Sequence, residues 1–410
     1  MASIINADVT NGVVITSDTS GEIQLQANGV TKAKVTANGL QDANGNSLRG
    51  GSYRNLIING DMRIAQRGTS ATGINATGYY TADRMSTSYV NPSGVWTQTQ
   101  DTDVPTGQGF TNSLKLQCTT ASAVGTNERL ALVHRFEGQM LQHLKKGTAN
   151  AESLTLSFWV KSNKTGTYII SLYDADNIRS ISKAYTINTA NTWEKKVITF
   201  AGDTTGAFDN DNNQSFILFF GLAVGTFETS GTLQTEWGAI TGVDRFVGQV
   251  NLQDSTSNYI NITGVQLEVG ENATPFENRM YSQELAMCQR YYYRITGAAG
   301  VSNHISMGYA QGSSGTSAIR GELVPKVTMR IYSPSVESAS GTGYFSNSNS
   351  MGALVTWDSM IIGYAEGYGQ SGVLIGNGTS VSGLTIGTAG YVRMSSTGGS
   401  NSWVALDAEL

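Results

Sequence analysis

Apolar and polar residues alternate in a series of short runs along the middle of this chain, and clusters of turn-forming residues separate the runs. Alternation sends successive side chains to opposite faces of a strand, so each run predicts a strand with one buried face. Many short strands at regular spacing are typical of a β-sandwich, and we predict a jelly roll. The predicted strands of this sandwich are residues 154–160, 168–173, 196–200, 216–220 and 259–268.

Two stretches of the sequence, residues 130–145 and 277–293, also permit a helix. In the first, apolar residues recur at roughly helical spacing and predict a helix, although a strand is the alternative. In the second, Ser282 is placed to cap a short helix. The tyrosine run at residues 291–293 either extends that helix or opens into a strand.

These patterns divide the 410 residues of the chain into three parts, and the predicted fold class is all-β. Residues 1–52 carry Asn-Gly turns between short alternating runs, a strong hairpin signal, but few large apolar residues. A β-hairpin this small is marginal alone, so we predict an oligomerisation and attachment arm. Residues 53–280 form the central jelly-roll β-sandwich. Residues 281–410 form a short linking helix and a smaller C-terminal β-domain, with final strands at 391–394 and 402–406.

Residues 55–85 form the stretch around which the predicted sandwich is organised. We expect a strand over residues 56–58, an Asn-Gly turn, and then a loop rich in glycine, threonine and alanine. Charged residues are rare in this chain, so Arg67, Asp83 and Arg84 stand out as structural residues. A guanidinium group can hold a carboxylate through two hydrogen bonds, and we predict that Arg84 or Arg67 pairs with Asp83 beneath neighbouring tyrosines.

Charge and hydropathy restrict the partners of the chain. The net charge of −5 disfavours nucleic-acid binding, which requires a basic surface. No stretch reaches the roughly 20 apolar residues of a membrane helix, and the first residues lack the basic and apolar regions of a secretory signal. We therefore expect a protein that is made in a cytoplasm and does not insert into a membrane. Cys118 and Cys288 are expected to be free, buried thiols.

Acidic side chains provide candidate catalytic groups. Asp174 with Asp176, or Glu228 with Glu236, could flank a glycosidic bond as general acid and general base. Carboxylates at strand ends more often cap loops, and we favour that interpretation. No motif for a serine nucleophile or a phosphate-binding loop occurs in the sequence.

A candidate metal site lies at residues 209–213 (DNDNN), where Asp209 and Asp211 offer closely spaced oxygen ligands for a structural calcium ion. The segment lacks the glycine and the distal glutamate of an EF-hand loop, so an Asx-rich turn is the alternative. The histidines and cysteines show no spacing typical of zinc ligands. We predict no cofactor apart from this candidate calcium ion.

Sugar recognition requires an exposed aromatic ring, whose face stacks on pyranose C–H groups, with polar neighbours that bind the hydroxyl groups. Trp159 and Trp193 lie in or beside strong strands and are predicted to be core residues. Aromatic residues in the glycine-rich C-terminal part are better candidates, although a core or trimer-interface role is the alternative. The candidate carbohydrate-binding residues are Trp357, Tyr364, Tyr368 and Glu366.

A set of short motifs follows in fixed order: residues 55–60 (NLIING), 66–68 (QRG), 80–84 (YTADR), 156–162 (LSFWVKS), 264–268 (GVQLE), 274–277 (TPFE) and 284–292 (ELAMCQRYY). Together they resemble phage virion proteins that look like tail fibres and related appendages of phages infecting marine and other bacteria. Those proteins contain a jelly roll like that of carbohydrate-binding modules. The arm at residues 1–52 also resembles phage appendage arms, and the distal end of such proteins is expected to vary with the host.

This resemblance implies a non-enzymatic tail-fibre or receptor-binding protein that attaches a virion to the host cell surface. It implies a homotrimer, anchored to other virion proteins through residues 1–52, that is assembled in the host bacterial cytoplasm. The C-terminal domain would meet host surface polysaccharide or lipopolysaccharide, and three weak contacts on one body would give avidity. The alternatives are a capsid decoration protein whose arm clips to the shell, and a glycan depolymerase.

Overall fold

The computed structural model of the chain is an all-β fold, and its described residues contain one α-helix, Tyr281–Gln289. Its strands form a small N-terminal sheet, a sandwich of two larger sheets, and two further sheets in the C-terminal part. The structure describes residues 22–27, 29–36, 39–43, 54–297, 303–313, 316–332, 334–340, 344–349, 354–357, 359–362, 373–377, 389–394 and 402–410.

A jelly-roll sandwich occupies the middle of the chain, with a front sheet of six strands and a back sheet of seven. All the strands predicted for the sandwich are present, and each is longer than predicted. In spatial order, the front-sheet strands are Glu194–Phe200, Leu154–Ser162, Tyr259–Val269, Ser113–Thr120, Val95–Asp101 and Ser70–Ile74. The back-sheet strands are Gly238–Ala239, Arg179–Ile187, Gly166–Asp174, Gln214–Val224, Arg129–Glu137, Ser86–Val90 and Gly78–Tyr79.

The strand Leu154–Ser162 illustrates how the sequence pattern builds the core. Its even-numbered residues from Leu154 to Val160 are apolar and pack inward, and Phe158 meets Phe220 of the back sheet with ring centroids 5.2 Å apart at 90°. Its odd-numbered residues, which include Ser157 and Trp159, therefore face away from the core, because side chains alternate along a strand. The outer face of the front sheet thus carries polar residues and a tryptophan.

The helix predicted over residues 130–145 is wrong. The segment forms the strand Arg129–Glu137, followed by the short 3₁₀ turns Gly138–Met140 and Gln142–Leu144. Both faces of the strand are buried, one in the sandwich core and the other in a second apolar cluster that includes Val133. A strand that is buried on both faces loses strict alternation, so its apolar residues imitate helical spacing. Further 3₁₀ turns of the sandwich are Thr226–Glu228 and Gly242–Asp244.

Residues 56–58 do not form the predicted strand, although they are buried. The Asn59 side chain organises the segment instead: its Oδ1 accepts a hydrogen bond from Ile64 N at 3.0 Å, and its Nδ2 donates to the carbonyls of Ile64 at 2.9 Å and Asp83 at 3.0 Å. The predicted Asn-Gly turn is confirmed, because Met62 N donates to Asn59 O at 3.0 Å. Side-chain hydrogen bonds of this kind satisfy the backbone where no ladder exists.

Gly60 brings this turn against the front sheet. Its carbonyl accepts a hydrogen bond from Val265 N at 2.9 Å. A Cβ atom on Gly60 would lie 2.1 Å from Val265 O, so a residue with a side chain does not fit. The close approach of these two backbones therefore requires glycine.

The prediction that Arg84 or Arg67 pairs with Asp83 is wrong. The Asp83 carboxylate instead accepts hydrogen bonds from Gln66, from the backbone N at 2.9 Å and from Nε2 at 2.5 Å. Burial raises the pKa of Asp83 to about 6, and the hydrogen bonds from Gln66 oppose that rise. A neutral amide partner thus replaces the expected cation.

Arg67 and Arg84 bind acidic residues that lie 325 to 342 positions later in the sequence. Arg67 Nη2 is 2.8 Å from Asp407 Oδ2, and Arg67 Nη1 is 3.3 Å from Glu409 Oε1. Arg84 Nη1 contacts Glu409 Oε2, and its Cζ lies 3.4 Å from the ring centre of Tyr291. Burial disfavours the cation of Arg84, but Glu409 outweighs this and raises its pKa. A buried charge network therefore joins the jelly roll to the C-terminal residues.

The helix Tyr281–Gln289 begins after Met280, and no side chain caps it, so the predicted cap by Ser282 is wrong. The tyrosine run opens into the strand Tyr292–Thr296, which is one of the two outcomes that the sequence allowed. Both cysteines, one of them on this helix, are buried and free, as predicted. Among the described residues, no helix has the length and apolar character needed to cross a bilayer.

A small sheet contains both the strand on which the chain enters the C-terminal part and the strand on which it returns. The strand Tyr292–Thr296 pairs with Trp403–Asp407, which also pairs with Ser335–Ser338. Beyond the end of the first strand, Gly297 N donates a hydrogen bond to Ser402 O at 2.8 Å. The chain therefore leaves this sheet and returns to it on adjacent antiparallel strands.

A second C-terminal sheet has seven strands. The final strands predicted at residues 391–394 and 402–406 are both confirmed, the first in this sheet and the second in the small sheet. In spatial order, the strands of the larger sheet are Leu354–Trp357, Phe345–Asn349, Ala389–Met394, Asn303–Ser313, Thr316–Leu323, Val373–Asn377 and Met360–Ile362.

The N-terminal arm contains an antiparallel sheet of three strands, Ile23–Ala27, Val30–Thr36 and Gly39–Asp42. The gaps between these strands coincide with the predicted turns, and Gly29 has a φ of +71°, as the second residue of an Asn-Gly turn requires. Residues 28 and 37–38 of these turns lie outside the described residues.

Candidate functional site

The outer face of the front sheet places Trp159 beside Lys195. The two residues lie directly opposite each other on the paired strands Leu154–Ser162 and Glu194–Phe200. Directly opposed residues share a face, with Cβ atoms about 5 Å apart. Trp159 is partly exposed there, so the prediction that it is a core residue is wrong. It alternates with core residues along the strand, and the core takes Phe158 and Val160 instead.

Loops that cross this face bring further aromatic rings to Trp159. Phe110 and Phe276 pack edge to face, with ring centroids 5.1 Å apart and planes at 73°. The Phe110 ring lies over Gly264, where a Cβ atom would come within 2.5 Å of Phe110 Cζ. Gly264 has a φ of +61°, so both its backbone and its lack of a side chain fix the position of this ring.

These rings line an open cleft of about 380 Å³ on the outer face of the front sheet. The volume lies within the range of about 300–1,000 Å³ that ligand sites occupy in proteins. Within the described part of the chain, no carboxylate lines this cleft. The lining residues are Gln108, Phe110, Ser157, Trp159, Lys195, Gly264, Ala273, Thr274, Pro275, Phe276 and Asn278.

Two polar groups at the cleft, on Lys195 and Trp159, are free to meet a ligand. The Lys195 side chain is exposed, and its ammonium group has no ion-pair or hydrogen-bond partner among the residues that the structure describes. The indole N–H of Trp159 likewise has no acceptor within those residues. In contrast, the next lysine along the strand, Lys196, pairs with Glu194 at 2.5 Å.

This combination of groups suits binding rather than acid–base chemistry. Aromatic faces pack against the C–H faces of a ring-shaped ligand, while amide, hydroxyl and ammonium groups bind its oxygen atoms. General acid–base hydrolysis of a glycoside requires a pair of carboxyl groups across the bond. The described residues of the cleft provide no such pair.

Trp193 is also partly exposed, so its predicted place in the core is wrong as well. Its Nε1 donates a hydrogen bond to Asp103 Oδ1 at 2.9 Å, and Lys161 Nζ donates to Asp103 Oδ2 at 2.6 Å. Burial opposes ionisation of Asp103, but these two donors lower its pKa overall. Trp193 therefore holds a surface loop on the same face, and its N–H group is already engaged.

The predicted C-terminal sugar-binding residues fall mostly outside the described part of the chain. Tyr364, Glu366 and Tyr368 lie outside the described residues. Trp357 ends the strand Leu354–Trp357, and its side chain is likewise not described. These four residues remain predictions.

The carboxylates of Asp174 and Asp176 hold loops. Asp174 Oδ1 accepts hydrogen bonds from the backbone N of Asp176 and of Asn177, each at 3.0 Å. Asp174 is fully buried and lies 2.5 Å from Lys146 Nζ. Asp176 Oδ2 accepts from Asp209 N at 2.9 Å. These contacts agree with the interpretation that the two carboxylates cap loops.

Glu228 and Glu236, the second candidate acidic pair, differ in exposure and in their ion-pair partners. Glu228 is paired with Arg129 at 2.5 Å and with Arg245 at 3.5 Å. Glu236 has a side chain that is 79% exposed and lies 3.7 Å from Lys183. Glu228 thus forms ion pairs with two guanidinium groups of the protein.

The candidate calcium ligands lie in a turn beside the back sheet. Asp211 Oδ1 accepts a hydrogen bond from Asn213 N at 2.9 Å, which is an Asx turn. The carbonyl of Asp209 accepts from Gln142 Nε2 at 3.2 Å. Within the described residues, no group of three or more histidine, cysteine, aspartate or glutamate side chains is placed to hold a metal ion. Calcium binding by Asp209 and Asp211 stays a prediction.

A further cleft of about 410 Å³ lies between the jelly roll and the small C-terminal sheet. Arg67 Cζ lies 3.5 Å from the ring centre of Tyr292, and Arg294 Cζ lies 4.3 Å from that of Trp403. Arg67 is also paired with Asp407. The charged and aromatic groups of this cleft are therefore engaged with one another, and we assign it to the contact between the two regions.

Sequence reasoning missed the cleft, although one signal was present. In the run at residues 154–160 (LTLSFWV), the tryptophan shares its parity with threonine and serine, not with leucine and phenylalanine. Strict use of the strand period would have placed Trp159 on the polar face. No local signal could place Phe110 and Phe276 beside it, because they come from loops far apart in the sequence.

No protein-family model matches this sequence, and no curated protein matches it. Among solved structures, the chain is similar to the enzymatically active domain of tailspike protein 4 of bacteriophage CBA120, with 15% identity and a TM-score of 0.27 over 53% of this chain and 22% of that chain. It is similar to a proposed sugar-binding protein from Bacteroides thetaiotaomicron, with 12% identity and a TM-score of 0.30 over 53% of this chain and all of that chain. A family 11 carbohydrate-binding module from a Clostridium thermocellum cellulase shows 12% identity and a TM-score of 0.24, over 54% of this chain and all of that chain. Likenesses at this level carry no argument about function, and the jelly-roll assignment rests on the two packed sheets.

Proposed function

We propose that this chain is a bacteriophage virion protein, a tail fibre or receptor-binding protein, that attaches to a glycan on the host cell surface. The observation that carries the binding role is the aromatic cleft around Trp159 on the front sheet. The phage assignment is supported by the ordered motifs between residues 55 and 292, and the proposed role is non-enzymatic.

The chemistry of the cleft matches that of a sugar. A pyranose ring has an apolar C–H face and a rim of hydroxyl groups, so it needs a flat apolar surface with donors and acceptors around it. Trp159, Phe110 and Phe276 supply that surface, while Gln108 and Asn278 supply amide groups at its edge. The proposal thus places a glycan contact on the jelly roll, in addition to the C-terminal residues that the sequence suggests.

Replacing Trp159 with alanine is expected to weaken binding to host surface polysaccharide at least tenfold. The indole forms the flat wall of the cleft, and aromatic residues of this kind dominate the binding energy of such sites. The measurements are titration calorimetry of the full-length chain with purified host polysaccharide, and competition with phage for adsorption to host cells. Wild-type protein should lower adsorption in proportion to the amount bound.

A matched control is Tyr332→Ala, because Tyr332 is also an exposed aromatic residue, 50% accessible, but is not one of the residues that line the cleft. This variant should bind as the wild type does. Equal binding by Trp159→Ala and wild type would contradict the proposal that this cleft holds the glycan. A wild-type chain that neither binds cells nor blocks adsorption would favour the capsid decoration protein.

The N-terminal sheet supports the proposal of a homotrimer. Ile23 lies opposite Val35, and Val35 lies opposite Leu40, so the three side chains share one face, which Leu25 extends. Leu25, Val35 and Leu40 are 48%, 39% and 47% exposed. A contiguous apolar face on so small a sheet is typical of an interface between copies. We propose that three arms bury this face against one another.

Exchanging Val35 and Leu40 together for aspartate is expected to convert the trimer to monomer at micromolar concentration. The change places charges within the proposed apolar interface, where their desolvation is costly. Native mass spectrometry of the full-length chain measures the outcome. Gln24→Asp adds a charge to the opposite face of the same sheet and should leave the trimer intact. A wild-type monomer would refute the assembly.

A further inference from the structure

We infer that the cleft selects an acidic glycan, one whose sugar carries a carboxylate or sulfate group, and that Lys195 binds this group. The inference rests on the proposed glycan-binding function of the same cleft. Trp159 and Lys195 are direct cross-strand neighbours on the outer face of the front sheet. A sugar stacked on the indole therefore lies within reach of the lysine ammonium group, whose four-carbon stem is flexible.

The charge of the cleft lining is positive only. Lys195 is the charged residue of its lining, and no carboxylate lines the cleft in the described part of the chain. Sites for neutral sugars rely on groups that accept hydrogen bonds from hydroxyls, and carboxylates are the strongest such acceptors. A cleft with donors and a free cation instead complements an anion.

Two acidic residues near the loop that carries Phe276 are already paired with arginines. Glu268, on the neighbouring strand, lies 3.8 Å from Arg54 Nε and also accepts hydrogen bonds from Thr274 N at 2.9 Å and from Gln266 Nε2 at 2.7 Å. Glu277 accepts from Asn55 N at 2.9 Å and pairs with Arg279 at 3.1 Å. These carboxylates hold the loop that carries Phe276, so they do not offset Lys195.

The strand itself contains a matched comparison. Lys196 lies next to Lys195 in sequence, but the strand alternation turns it to the other face, where it pairs with Glu194. The chain thus pairs one lysine of the Lys195-Lys196 dipeptide internally and leaves the other free at the cleft. Two neighbouring lysines with different surroundings allow a test in which the net charge of the variants is equal.

The test compares Lys195→Met with Lys196→Met in the full-length chain. The probes are polygalacturonate and its carboxyl-reduced form, and dextran sulfate and dextran, so that carboxylate and sulfate are distinguished. Wild-type protein is expected to bind at least one acidic polymer about tenfold more tightly than its neutral counterpart, since a hydrogen bond to a charged group contributes on this scale. That preference should weaken with added salt.

Lys195→Met should abolish the preference while retaining the weaker binding of the neutral polymer, and Lys196→Met should keep it. Equal wild-type affinity for the acidic and neutral members of both pairs, or an unchanged preference in Lys195→Met, would overturn the inference. Neither outcome affects the proposed glycan binding as long as Trp159→Ala still loses affinity. If Trp159→Ala instead bound every polymer as tightly as the wild type does, the proposed function itself would be contradicted.

Discussion

Replacing Glu409 with alanine is expected to destabilise the chain by about 3–5 kcal/mol, the cost of removing one partner from a buried ion pair. Glu409 contacts both Arg84 and Arg67, and the side chain of Arg84 is only 1% exposed. Its loss leaves the Arg84 guanidinium buried with a ring face and the Arg135 carbonyl as its remaining contacts. Urea denaturation followed by tryptophan fluorescence measures the change in the free energy of unfolding.

Glu236→Ala is the control for this change, because it removes a carboxylate that is 79% exposed and 3.7 Å from its partner, Lys183. Exposed ion pairs contribute about 0–1 kcal/mol, so the control should unfold almost as the wild type does. If Glu409→Ala and the control had the same midpoint, the network would not stabilise the contact between the jelly roll and the C-terminal region.

Gly60→Ala is expected to destabilise the jelly roll by about 3 kcal/mol, the upper end of the usual cost of overpacking. The added Cβ atom would lie 2.1 Å from the carbonyl oxygen of Val265, and that atom belongs to the backbone of the front sheet. A backbone carbonyl in the middle of a sheet cannot rotate away as a flexible side chain would. The turn must therefore move away from the strand, or the hydrogen bond between Gly60 and Val265 must break. Thermal and urea unfolding measure the loss.

Gly125→Ala is the matched control, because the nearest atom to its added Cβ is a Glu128 side-chain oxygen at 3.6 Å, an ordinary contact distance. Its free energy of unfolding should change by less than about 0.5 kcal/mol, as is usual for a substitution without a steric conflict. A Gly60→Ala protein as stable as this control would show that the turn does not need to approach the strand so closely.

The fold class could be predicted because it depends on local patterns. Alternation along residues 154–160 and along the other predicted strands shows which face of each strand is buried. This pattern can be identified without knowing which strands pair with one another. The prediction from alternation was wrong for a strand that does not have one buried and one exposed face. The strand Arg129–Glu137 is buried on both faces, so its sequence imitates a helix.

The candidate site was harder to predict because it is assembled from distant segments. Trp159 could be placed on the outer face by parity, but Phe110 and Phe276 meet it only through the loops that cross the sheet. The partners of Arg67 and Arg84 were missed for a related reason. Adjacent opposite charges suggested a local pair with Asp83, whereas the actual partners lie in the last residues of the sequence.

The pairing of the strands Tyr292–Thr296 and Trp403–Asp407 has a consequence for how such a protein can diversify. Gly297 and Ser402 are joined by a hydrogen bond, so the residues between them leave and rejoin the body at one point. A genetic exchange with its crossovers inside this paired stem would replace the whole intervening segment in a single event. The jelly roll, its cleft and the arm would stay as they are, which lets one part of the chain change by recombination while the rest changes by point mutation.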